Sequence, residues 1–210
     1  MHEKVLPAGS RQILAELKKS ASPAIRGWIL AGGTGLALQA GHRKSEDFDF
    51  FRNEGMEIGA LHEVFAQRGH YETLQEAENT LTILRNGVKL SFFQVADRFL
   101  FRTKPYCFFS IADVRDIALM KLVAIANRGS RKDFIDLCTI LRSGPSLKDY
   151  FDLLPRKYGT RRTNAYHILK SLTYFADAET EPMPVMLEPF NWKECRAFFV
   201  REAHAVILPA

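Results

Sequence analysis

The alternation Asp47-Phe48-Asp49-Phe50 leaves this chain few ways to fold around it. In a β-strand successive side chains point to opposite faces, so the two phenylalanines share one face and the two aspartates share the other. A helix would scatter the four around its circumference. Carboxylates about 6–7 Å apart along one strand repel each other unless a cation or several donors sit between them. The segment therefore predicts a strand over about residues 46–51, with its aromatic face in a core and its acidic face at a site for a divalent cation.

The residues just upstream supply a second half to that site. "GWILAGG", residues 27–33, is an apolar run ended by paired glycines, which reads as a buried strand entering a tight loop; "TGLALQAG" then makes a short helix. Gly32 and Gly33 allow a backbone to approach a ligand, the free N–H groups of the helix start point into the same space, and Thr34 adds a hydroxyl. This is an anion cradle suited to nucleotide phosphates. Arg43, Lys44 and Ser45 offer further phosphate donors; His42 beside them could donate to a phosphate too, but a lone histidine is more often structural. Asp47 and Asp49 suit Mg²⁺ (or Mn²⁺), a hard cation that takes carboxylate and phosphate oxygens.

Elsewhere in the N-terminal half, Ile13, Leu14 and Leu17 mark a helix behind Ser10, a candidate cap. Residues 56–68 read as another helix. "TLTILRNGVKLSFFQV", residues 80–95, predicts a hairpin with Asn86-Gly87 in a type I′ turn. One more strand is expected at 105–109. From Ser110 the pattern turns helical, with helices expected at 112–127, 131–142, 146–156, 163–176 and 191–206. The fold class is thus α/β (α+β), an α/β portion over 1–110 followed by a helical portion over 111–210.

A hydrophobic content of 47% suits an ordinary globular core, and the net charge of +5 favours an anionic partner. The three cysteines form no CxxC pair and read as reduced packing residues of a cytoplasmic protein. No apolar run reaches the ~20 residues of a membrane span, and the first residues lack the apolar region of a signal peptide.

"LAGGTGLALQAGHRKSEDFDFF" resembles the first motif of the AbiEii/AbiGii-type nucleotidyltransferases, the toxin members of bacterial abortive-infection and MenT-like toxin–antitoxin systems. "DIALMKLVAIANRGSRKDFIDL", residues 116–137, resembles their distal motif, a lysine on one helix followed by an Arg/Lys-Asp-x-x-Asp run on the next. The resemblance covers roughly residues 27–142. It implies a polymerase-β-like nucleotidyltransferase core with a small mixed sheet, a helical half completing the cleft, an NTP substrate, and Mg²⁺. It also implies transfer of a nucleotidyl group to an acceptor, for some members the 3′ end of tRNA, and a cognate antitoxin. By the same resemblance Asp47 and Asp49 hold the metal, and Lys121, Asp133 and Asp136 complete the catalytic set. Gly32, Gly33, Thr34, Arg43, Ser45, Arg131 and Lys132 would surround the nucleotide, with Lys121 on the triphosphate.

The distal motif also reads physically. Lys121 interrupts the apolar stretch 117–126, so it needs an anionic partner or an opening to a cleft, unless it snorkels from the helix edge. Ser130 fits an N-cap and Asp133 the N3 position of a capping box; Asp136 lies one turn further on the same face. Either aspartate can orient Lys121 or Arg131.

One departure from the family pattern concerns the strand "VKLSFF". The hairpin register sets Ser91 opposite Thr82, on the face of Lys89, where transferases of this kind usually carry a third carboxylate. That leaves a one-metal enzyme, a base from elsewhere, or an inactive nucleotide- or RNA-binding relative; a phosphotransferase acting on protein or a small molecule is a further reading. "RKYGTRR" places Arg156, Lys157, Arg161 and Arg162 around Tyr158, which suits RNA phosphates and a stacked base, or else a solvated helix end.

Overall fold

The computed structural model describes residues 1–160 and 162–208, and the chain divides into two compact units, Met1–Asp113 and Val114–Ala210. The first unit is built on a seven-stranded sheet: β1 (Ile29–Ala31), β2 (Phe48–Arg52), β3 (Glu72–Ala77), β4 (Thr80–Arg85), β5 (Val88–Gln94), β6 (Lys104–Tyr106) and β7 (Phe109–Ile111). The spatial order is β3-β4-β5-β2-β1-β7-β6, mixed because β2 runs parallel to β5 and β1 parallel to β7 while the other pairs are antiparallel. Helices α1 (Ala8–Lys18), α2 (Gly32–Ala40) and α3 (Ile58–Ala66) contribute to its core.

Strand β2 lies in the middle of that sheet and splits its side chains as its alternation requires. Phe48 and Phe50 are buried among Leu38, Phe65, Leu90 and Phe92, and Phe50 stacks on Phe92 with ring centroids 5.2 Å apart. Asn86 and Gly87 both have positive φ (50° and 76°), the type I′ geometry, and Thr82 pairs with Ser91.

Three local expectations are corrected here, and one strand, β3, had not been expected. Helix α1 starts two residues before Ser10, and the buried Ser10 hydroxyl instead donates to the Glu46 carbonyl at 2.9 Å, tying α1 to the approach of β2. The strand expected at 105–109 is a hairpin, β6 and β7, because Cys107 adopts φ 55° and reverses the chain; that cysteine is exposed, whereas Cys138 and Cys195 are buried. Strand β3 carried no apolar alternation. All six of its residues are exposed, and it is held as an edge by its backbone ladder to β4. The helix expected at 163–176 is broken into α7 (Ala165–Ser171) and α8 (Ala176–Thr180).

The second unit holds α4 (Val114–Arg128), α5 (Arg131–Leu141), α6 (Leu147–Tyr158), α7, α8 and α9 (Trp192–Ala205). Helix α4 packs on α5, α6 and α7, and α5 on α8 and α9. No helix among the described residues is long and apolar enough to cross a membrane. The capping box expected at α5 is not formed: the Ser130 hydroxyl donates to Glu181 at 2.8 Å, and the reciprocal box occurs at Ser146 and Asp149 of α6. Helix α6 is pinned to α4 by Lys157, whose ammonium sits 2.7 Å from the fully buried Asp116. Breaking such a pair from one side strands a buried charge. Lys157→Met should therefore lower unfolding free energy by about 3–5 kcal/mol, read from denaturant midpoints against wild type.

Candidate active site

The first candidate centre is set by how β1 hands over to α2. Helix α2 begins at Gly32 without an intervening loop, so the strand end and the first helical turn share one corner. Gly32 has φ 62°, and a Cβ there would stand 2.8 Å from an Asp49 carboxylate oxygen. Only glycine meets both demands, a left-handed backbone and a carboxylate against it. Asp49 pairs in register with Ala31 on one side and with Ser91 on the other. The face of β2 opposite the phenylalanines thus carries Asp49 beside the buried Ser91 hydroxyl.

Asp47, one residue before β2, accepts a hydrogen bond from the Lys89 backbone N–H at 3.2 Å, and its other carboxylate oxygen lies 3.6 Å from the Lys89 ammonium. Both side chains of that pair are open to solvent, so the attraction is screened and readily exchanged. Thr34 is buried and does not face outward as a phosphate donor would. Its hydroxyl lies 2.8 Å from the Ser45 hydroxyl and bonds to the Asp47 carbonyl, locking the helix start to the segment that enters β2. Arg43 is buried too, its guanidinium packed against Gly33 together with the Ser45 hydroxyl, and it donates to the Lys44 carbonyl at 3.0 Å. Gly32, Gly33, Thr34, Arg43, Ser45, Asp47 and Asp49 are therefore assembled at one corner of the first unit.

A divalent cation fits this donor set. Among the described residues no group of three or more His, Cys, Asp or Glu side chains gathers as a closed metal cage. Two carboxylates and a hydroxyl, all hard oxygens, instead match Mg²⁺, which keeps several waters and takes its remaining ligands from substrate phosphates.

The distal residues form a second cluster inside the helical unit. The Lys121 ammonium, 5% exposed, stands 2.7 Å from Asp133 and 2.6 Å from Asp136, both carboxylates fully buried. Arg128 adds a bidentate contact to Asp133 at 2.7 and 3.0 Å. The anionic partner that Lys121 needs is thus its own neighbouring helix, and the charge is matched without a ligand. Burial alone would lower the Lys121 pKa, but Asp136 and Asp133 overcome it and hold it above its ordinary value. Burial likewise pushes Asp133 up, and Lys121 and Arg128 outweigh it, leaving the carboxyl below its ordinary value.

Arg131 is spent on structure: its guanidinium donates to the carbonyls of Ala178 and Glu179 and lies over the Trp192 ring at 5.1 Å. Lys132 follows it in the first turn of α5. In "RKYGTRR" the buried pair with Asp116 removes Lys157 from the exposed cations, leaving Arg156 and Arg162 exposed around a half-buried Tyr158; Arg161 lies outside the described residues. Sequence reasoning overlooked Asp116 and Arg128. A buried aspartate at a helix start and an arginine five residues before Asp133 were the available signals.

The Lys121 cluster has a pH signature. Asp133 contributes stability present above its unfolded pKa of about 3.8, lost as pH falls through its lower folded value. Lys121 contributes stability present below about 10.5, lost as pH rises through its higher folded value. Lys121→Met takes the ammonium from between Asp136 and Asp133, of which Asp133 keeps Arg128, and should cost about 3–5 kcal/mol at pH 7. Because protonation neutralises those carboxylates, the gap between variant and wild-type unfolding midpoints should narrow towards pH 3.

Comparison with known proteins places this geometry. Residues 12–89 and 88–206 match the family described as nucleotidyl transferase AbiEii toxin, type IV TA system. An uncharacterized protein of Aquifex aeolicus is 38% identical over 180 residues, which span 83% of this chain and 85% of that protein. MenT4, a nucleotidyltransferase toxin from Mycobacterium tuberculosis, aligns over 94% of this chain and 80% of its own at 15% identity with a TM-score of 0.55. JHP933 from Helicobacter pylori aligns over 97% of this chain and 89% of its own at 18% identity with a TM-score of 0.54. At such identities the two solved structures establish a shared fold. Because the family match runs through both units, the chain belongs to the AbiEii family of nucleotidyl transferase toxins and is a nucleotidyltransferase.

Proposed function

We propose that this nucleotidyltransferase uses Mg²⁺ or Mn²⁺ to move a nucleotidyl group from an NTP to an RNA acceptor, such as the 3′ end of a tRNA, under the restraint of an antitoxin protein. The observation that supports it most is the Asp49 carboxylate held against Gly32 at the start of α2, flanked by Ser91 and one strand step from Asp47. Asp47 and Asp49 would hold the cation, which neutralises charge on the triphosphate and on the departing pyrophosphate. Helix α2 starts at this corner, where the Asp49 carboxylate and the Arg43 guanidinium occupy the space that Cβ atoms at Gly32 and Gly33 would fill; the first N–H groups of the helix and that guanidinium are the donors a phosphate would meet here. Lys89 offers a solvent-open ammonium beside Asp47 that can turn to a phosphate once a cation takes the carboxylate.

In the transfer an acceptor hydroxyl oxygen bonds to the α-phosphorus, the α–β phosphoanhydride breaks, and pyrophosphate departs with the bonding electrons. With Ser91 where a third carboxylate would stand, the hydroxyl proton passes to one of the two aspartates or to water. The same donor set would serve transfer to a protein or a small molecule, so the acceptor has to be read directly.

Incubation with each labelled NTP, total tRNA and Mg²⁺ should yield labelled, lengthened RNA. Label on protein or on a small molecule would replace the RNA reading. Asp49→Asn should abolish labelling and weaken calorimetric Mg–NTP binding severely without lowering the melting temperature. Unchanged Mg–NTP affinity in that variant would remove Asp49 from the metal site.

A further inference from the structure

Helix α7 presents a face that the fold does not use. Its buried side carries Ile168, with Leu172 just beyond its end, and these complete the packing on α4. The opposite side carries Tyr166, 72% exposed, and Lys170 four residues on; Tyr174, 58% exposed, follows three residues past the end of the helix. Arg162, also exposed, lies three residues before α7 begins, and its side chain is fastened to the Tyr158 carbonyl at 3.0 Å. Residues four apart on a helix stand side by side, so Tyr166 and Lys170 are neighbours. Lys170 and Tyr174 also share the wall of a cavity of about 310 Å³, closed on its other side by the end of α4. His167 frames it, its ring nitrogen donating to the Ala126 carbonyl at 3.3 Å, and Asp177 is its one acidic wall residue.

We infer that this face binds a single RNA strand, with bases stacked on Tyr166 and Tyr174 and phosphates on Lys170 and Arg162. Cations interleaved with exposed aromatic rings are what a charged backbone with π-faced bases requires. A protein partner would call for an apolar centre with charge at its rim, and here lysine occupies the middle. The cavity beside Tyr174 offers a recess for an unstacked base. Of the neighbouring stretch "RKYGTRR" this surface takes Arg162, whereas Lys157 is buried against Asp116. The inference rests on the RNA acceptor reading and assigns it a surface.

The test is fluorescence anisotropy of a labelled single-stranded RNA and of labelled total tRNA with the full chain at several salt concentrations. Tyr166→Ala and Tyr174→Ala should each weaken RNA binding about 5- to 150-fold, and Tyr→Phe at either position should retain it. Lys170→Gln should flatten the salt slope of log affinity by about 0.7, with Mg–NTP binding unchanged in all variants. Wild-type RNA affinity in the double tyrosine variant overturns the surface, as does loss in the phenylalanine variants equal to that in alanine. Loss of a bound protein without loss of RNA affinity would overturn it in favour of a protein-docking face. Label transfer to RNA with an unaffected double variant leaves the acceptor reading standing and the surface wrong. Tyrosine-dependent RNA binding without any transfer leaves the surface standing and removes RNA as acceptor.

Discussion

Strand β2 must satisfy two environments at once, and the first unit is arranged around that demand. Phe48 and Phe50 draw it into the centre of a seven-stranded sheet, where they are buried on the helix-packed side. The same pleat turns Asp49 to the other face, where a carboxylate between β1 and β5 would be costly without a partner. At the corner that carboxylate stands where a Cβ at Gly32 would lie, so only glycine admits it. The hydroxyls of Thr34 and Ser45 and the buried Arg43 then hold the approach to β2 rigid. A site precise enough for phosphoryl chemistry needs such support, because misplacing a reacting group by an ångström forfeits most of the benefit of orientation.

The helical unit solves a different electrostatic problem. Asp116, Lys121, Asp133, Asp136 and Lys157 are all buried on or beside α4 and α5. Their contacts are short, 2.6–2.7 Å, and tie α4 to both α5 and α6. Buried ion pairs add little net stability over apolar packing, but they penalise any other register between the helices. Within this unit Lys121, Asp133 and Asp136 therefore hold the α4–α5 pair in one alignment.

Much of this was legible in the sequence where one local rule dominated. The β2 alternation, the Asn86-Gly87 turn and the Ser91–Thr82 register follow from a period of two and from the positive φ that such turns demand. The rules failed where long-range pairing decided. Strand β3 exists because β4 offers it a ladder, and Cys107 turns the chain without glycine or proline to announce it.

By itself the sequence determined the faces of the central strand, the glycine corner, the change from sheet to helices near residue 110 and the family, because periodicity and motif spacing are local properties. Only the tertiary structure decided which charges are matched. Lys121 met Asp133 and Asp136, Lys157 met Asp116, and Ser130 left its expected cap for Glu181. Partner choice among charged side chains depends on which helices are brought into contact and on the cost of leaving any charge unpaired in the interior, and neither is written in the spacing of residues along one helix.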